Sequence, residues 1–279
     1  MKKYKFNPIL FNAIILILIV FLYYDVILDL FNDWIKKEQD SYGLVLAGLS
    51  VYFLFKKRKS LQEIENEIWL PGILIIILSI LIFLSGHLMI EYYSQEISLV
   101  FLISGIISYL YGKYTLKVLS LPILFLFLSI PLPAIIINDI TLPLKLVASS
   151  VAASMLEIFA VPVFREGNIL QIPGAVLEVV SACSGIHSIF ALLIIGILMS
   201  QEFNSYIQKF VFLMFIIPLS IFTNALRITI TGLLYKIGYG NIALHFYHEA
   251  SGLLIFIVAL FLLLGLKKLI CYIKIENIF

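Results

Sequence analysis

The sequence predicts an all-α, polytopic membrane protein with about eight transmembrane helices and a small β-hairpin at the outer surface before the sixth. Two bulk observations lead there. Of the 279 residues, 62% are apolar and only 13% are charged, whereas a soluble domain is about half apolar and about a quarter charged. The mean hydropathy is +1.09. One water-soluble core cannot hide so much apolar surface, because a folded domain still exposes a large area. The third observation is the arrangement: the apolar residues fall in runs close to the roughly 20 that a spanning helix needs.

Eight runs qualify, at about residues 9–28, 42–55, 70–90, 97–111, 116–130, 184–199, 207–222 and 249–266. The first follows Lys2, Lys3 and Lys5 and ends in Tyr23-Tyr24-Asp25. Without a small-residue cleavage site it reads as an uncleaved span rather than a signal peptide. The second and fifth runs are short, which suits a tilted or re-entrant segment. No internal repeat, low-complexity tract or linker interrupts the chain, so one membrane domain over 1–279 is expected, with its motif-bearing core at 131–252. With the N-terminus inside, 13 of the 19 Lys and Arg residues fall in cytoplasmic segments, among them Lys56, Lys57, Arg58 and Lys59. That bias follows the positive-inside rule and predicts a multi-pass protein of the cytoplasmic membrane with both termini in the cytoplasm.

The long interval 131–183 lies outside in this topology. Its first part, 140–159, mixes apolar and small residues and is expected to lie in or dip into the interface. In its second part the turn signal Pro173-Gly174 separates two β-prone runs, 168–172 and 176–180, which predicts the hairpin. The hairpin leads to Ser181-Ala-Cys-Ser-Gly185, directly before the sixth span.

Three polar residues then share the outer face: Cys183 at the start of span six, Arg227 just past the end of span seven and His248 at the start of span eight. Ionisable groups at membrane depth are costly and mark functional sites. Their chemistry suits acyl transfer. A thiolate attacks a carbonyl, an imidazole takes the thiol proton and returns it to the leaving amine, and a guanidinium supplies fixed positive charge to the developing oxyanion.

Each residue has a plainer reading. A cysteine in an apolar protein is often a small buried hydrophobe, and Arg227 can snorkel to headgroups. His187, one turn after Cys183, and His245, one turn before His248, compete for the role of base. His245, His248 and Glu249 together suggest a metal site, but no HExxH arrangement is present, so neither metal nor cofactor is expected. Cys271, beside Lys267 and Lys268, reads as a filler residue. It lies near the opposite face from Cys183, so both thiols are expected to be free.

The second half of the chain resembles the exosortase family, with the archaeosortases as close relatives. The resemblance rests on Pro162-Val-Phe-Arg-Glu-Gly-Asn168, Ile172-Pro173, Leu177-Glu-Val-Val180 and Ala182-Cys-Ser-Gly-Ile186, then on Asn224-Ala-Leu-Arg227-Ile and His248-Glu-Ala-Ser-Gly252. The stretch from Pro162 to Asn168 favours the exosortase branch. The family's Cys, Arg and His fall on Cys183, Arg227 and His248. His187 stands where many members carry Arg or Gln, which adds a second imidazole near Cys183. The resemblance implies a membrane cysteine protease or transpeptidase, forming a thioacyl-enzyme. Its substrates would be exported proteins with a C-terminal signal of PEP-CTERM type: a short motif, a transmembrane helix and a basic tail. The expected partners are those proteins and the bilayer, with no nucleic acid. A transporter, or an assembly component linked to exopolysaccharide machinery, is the alternative reading.

Overall fold

The computed structural model describes residues 8–37, 40–65, 67–179, 186–240, 243 and 251–273. The chain divides into two compact units, Met1–Pro133 and Ala134–Phe279.

In the first unit, α1 (Pro8–Leu22) is apolar all round, whereas α2 (Tyr24–Lys36) is amphipathic and buries Val26, Leu30 and Trp34. The two meet at Tyr23 with a bend of 71°. The expected first span, 9–28, is therefore not one straight helix. Tyr23 is buried and its hydroxyl hydrogen-bonds Ser98 Oγ at 2.9 Å, which pins the bend to the helix that carries Ser98. Next come α3 (Tyr42–Lys56), α4 (Arg58–Gln62), α5 (Gly72–Met89), α6 (Tyr92–Val118) and α7 (Ser120–Leu128). Helices α5 and α6 form a tight hairpin. Its corner is capped by the Glu91 side chain, which accepts from the N–H groups of Tyr93 and Ser94 at 3.0 and 2.7 Å. Small residues let the two backbones approach, as usual for helices packed in lipid: Ser79 Oγ donates to the Ser98 carbonyl at 2.9 Å. The apolar run expected as a fifth span is split between the end of α6 and the nine-residue α7. Helix α7 packs on α3, where Ser50 Oγ donates to the Pro122 carbonyl at 2.8 Å. Trp34 Nε1–H donates to the Ser129 carbonyl at 2.9 Å.

The second unit opens with α8 (Ala134–Ile158), followed by β1 (Phe164–Glu166), β2 (Ile169–Ile172) and β3 (Ala175–Glu178). Expected as an interfacial segment over 140–159, α8 is instead a 25-residue helix, long and apolar enough to cross a membrane. Pro143 lies inside it without ending it. The predicted hairpin is β2–β3, with Gly174 at φ +86° in its turn. An additional strand, β1, pairs antiparallel with β2. The sheet packs Leu170, Ile172 and Leu177 onto Ala152, Ala153 and Leu156 of α8. Helices α9 (Ile186–Ser200), α10 (Tyr206–Met214), α11 (Ile216–Lys236) and α12 (Ser251–Ile273) complete the unit, with Ala225 and Ile228 of α11 facing the sheet core.

Among the described residues, five helices are long and apolar enough to span, or six with the bent α1–α2 pair as one broken span. That is fewer than the eight expected. Helices α3 and α9, with 15 residues each, and α7, with nine, fall below the length of a full crossing, while α8 joins the spanning set.

Candidate active site

The elements that flank the three expected residues belong to one helical cluster of the second unit. Helix α9 and the α10–α11 segment form an antiparallel pair joined by a short connection at 201–205. Leu192, Phe203, Phe212 and Ile216 interlock there with Ala259, Leu263 and Ile270 of α12. Glu202, just past the end of α9, forms an ion pair of 2.6 Å with Lys267 in the second half of α12. Counting back at 1.5 Å per residue, α9 runs about 21 Å from Ile186 to Ser200 and α12 about 24 Å from Ser251 to Lys267. The two helices therefore run parallel and begin at the same end of the cluster.

Arg227 comes level with that end. A side chain at Gly196 of α9 would meet Ile216, the first residue of α11. From there α11 rises about 16 Å to Arg227 while α9 descends about 15 Å to Ile186. Arg227 was expected just past the end of a span closing at 222. The structure instead places it inside α11, nine residues before the helix ends at Lys236. The helix continues because its hydroxyls bond their own backbone: Thr223 to the Ser220 carbonyl at 3.1 Å, Thr229 to Ala225 at 2.8 Å and Thr231 to Arg227 at 3.0 Å. Such back-bonding satisfies the threonine hydroxyls within the helix itself.

Arg227 is half-buried, between Asn224 and Thr231 on one face. With Ser220 and Thr223 these residues make a polar stripe at helical spacing on an otherwise apolar helix. Ser220, Asn224 and Arg227 are each engaged in polar or electrostatic interactions. That stripe is legible in the sequence as polar residues at i, i+3, i+4, i+7 and i+11, although only Arg227 was singled out for chemistry.

Cys183 and His248 lie outside the described residues, as does His245; His187 falls in the first turn of α9, and its side chain is likewise outside the description. Cys183 stands three positions before the first residue of α9 and His248 three before that of α12. On the approach to Cys183, Asn168 makes a double contact that sequence reasoning did not assign. Its carbonyl accepts from Val179 N–H at 2.9 Å and its Nδ2 donates to the Val179 carbonyl at 3.1 Å. This fixes the exit of β3, four residues before Cys183 in the chain. At the same end of the sheet, Ser149 Oγ and Arg165 Nη1 both donate to the Gly167 carbonyl, at 3.0 and 2.9 Å, which ties the β1–β2 turn to α8.

These features define a multi-pass membrane protein with a polar, arginine-bearing helix face at one end of a helical cluster. The family model described as transmembrane exosortase (Exosortase_EpsH) matches residues 34–265. The chain belongs to that family. A comparison with curated proteins found no match, and a comparison with solved structures found none.

Proposed function

We propose that this exosortase is a cysteine transpeptidase that cleaves and sorts exported proteins at the outer face of the cytoplasmic membrane. Its substrates carry a C-terminal short motif, a transmembrane helix and a basic tail. The Cys183 thiolate attacks the carbonyl carbon of the scissile bond. His248 takes the thiol proton and delivers it to the leaving nitrogen as the C–N bond breaks. Arg227 faces the oxyanion that forms between these steps. The thioester is then resolved by an amine or by water, which regenerates the thiol.

The observation that carries this reading is the common level of Arg227 and the first turns of α9 and α12, the helices that follow Cys183 and His248 in the chain. Family membership and the motifs around all three residues support it. In this reading both termini are cytoplasmic.

The test is co-expression with a substrate bearing such a tail, followed by its mass. The parent protein is expected to shorten the substrate, and Cys183→Ser to leave it intact; equal processing by the variant would remove the cysteine mechanism. The bend between α1 and α2 favours a second reading, because broken helices are common in transport proteins. A transporter or an assembly partner for polysaccharide export would leave the substrate uncut with either protein and would be indifferent to alkylation of Cys183.

A further inference from the structure

In the first unit, the end that carries the last turns of α2 and the first turns of α6 is acidic. Asp25, Asp29 and Asp33 recur every four residues along α2, and Glu91 and Glu96 stand at the start of α6. Most of this charge is committed. Glu91 caps α6 through two backbone N–H groups. Lys37 Nζ donates to Asp33 at 2.8 Å, and that carboxylate holds the Lys37 ammonium above the usual lysine range.

Glu96 differs from the rest. It is 5% exposed and lines a cavity of about 110 Å³ walled by Phe31, Trp34, Leu99, Val100 and Ile130. Its carboxylate accepts no hydrogen bond among the described residues. The donors in the cavity wall are already used: Trp34 Nε1–H on the Ser129 carbonyl at 2.9 Å, and Ser129 Oγ–H on the Leu126 carbonyl at 2.7 Å. The charges that act on Glu96 are Asp29, Asp33, Glu91 and Lys37, and the one cation among them is bound to Asp33. A largely buried carboxylate without a donor is unfavourable, and none of the described residues supplies one. The complementary group is a cation that brings its own donors.

The size and the walls narrow its class. At about 30 Å³ per water, the cavity holds three or four water-sized groups, enough for an aminomethyl group. The apolar walls suit its carbon stem. With its N–H tied to Ser129, the Trp34 ring is held as an aromatic wall against which a cation is favoured. A bare metal ion needs several oxygen ligands, and no three His, Cys, Asp or Glu side chains gather for one among the described residues.

We propose that the Glu96 cavity binds a compact organic cation, a primary ammonium group, with Glu96 as its counter-charge and Trp34 as its aromatic wall. The site does not depend on the cysteine mechanism. A soluble alkylamine and the headgroup of phosphatidylethanolamine both present this group.

The test uses the full-length protein in neutral detergent micelles. One arm titrates ethylammonium chloride against sodium chloride at equal ionic strength. The other adds phosphatidylethanolamine or phosphatidylcholine to the micelles. The expected result is a saturable rise in Tm of about 3 °C that Glu96→Gln abolishes. A rise with ethylammonium identifies a soluble amine, and a rise with phosphatidylethanolamine alone identifies the lipid headgroup. A Tm that follows only ionic strength in every arm, or a rise that survives in Glu96→Gln, overturns the proposal. Leu99→Phe fills the cavity while keeping the carboxylate. It must lose the rise too, and it decides the matter where Glu96→Gln does not fold.

Discussion

Arg227 is held by a helix face, not by a loop, and that changes what its substitution reports. Its neighbours Asn224 and Thr231 share the stripe, and the Thr231 hydroxyl occupies the Arg227 carbonyl. Arg227→Lys keeps the charge but loses the planar fork of donors. In the proposed mechanism it is expected to lower the rate of tail cleavage about 100-fold, with purified yield and Tm near the parent's; rates measured in detergent against a tailed substrate check this. The residue types were legible in the sequence because thiol, guanidinium and imidazole stand out in an apolar chain and sit in specific motifs. Glu96 was not, although its identity is equally unusual. Its isolation arises because Trp34 donates to the carbonyl of Ser129, 95 residues away, while the Ser129 hydroxyl donates to Leu126. No local pattern encodes that pairing.

At the scale of the element, α6 is continuous in chain but not in geometry. Gly112 interrupts it at φ +90°, ψ 170°, a backbone conformation nearly confined to glycine. A side chain there would also come within 2.8 Å of the Glu67 carbonyl. Gly112→Ala is therefore expected to destabilise the protein by about 2 kcal/mol, seen as a lower Tm; an unchanged Tm would show that α6 can straighten at no cost. The same contrast explains what the sequence revealed of the elements. The β2–β3 hairpin was legible because Pro173-Gly174 is a local signal. The β1 strand was not, since Phe164-Arg165-Glu166 is exposed and short and is anchored through the Gly167 carbonyl from Ser149 and Arg165. The seventh apolar run closes at 222 in the sequence because Thr223 and Asn224 resemble a boundary, yet the threonine hydroxyls are satisfied within the helix. In α8, Ala152 and Ala153, two of the small residues that suggested an interfacial segment, pack against the sheet.

For the whole molecule, the family match covers parts of both compact units, so the exosortase character is not confined to the half in which the motifs are recognisable. Sidedness belongs to this scale as well. Cys271 is an exposed free thiol near the end of α12. In a Cys183→Ser background, a membrane-impermeant maleimide is expected to label it in inverted vesicles and not in intact cells; labelling of intact cells would reverse the proposed orientation of the C-terminus. The spanning count was the least legible property, because hydropathy registers apolar runs but not where a helix breaks. Tyr23 and Leu119 each divide an apolar run that composition alone would keep whole.

The short helices have a consequence for the lipid around them. At 1.5 Å per residue, α3 is about 22 Å long and α7 about 14 Å, against a hydrocarbon core of about 30 Å. The two pack on one another, and residues such as Leu44, Val45, Leu54 and Phe55 of α3 remain exposed. A bilayer meeting that surface has to dimple inward to keep its acyl chains in contact with it, at a cost that grows with every ångström of mismatch. Acyl-chain length thus becomes a variable of the protein's own stability, and thinner membranes are the environment that suits it.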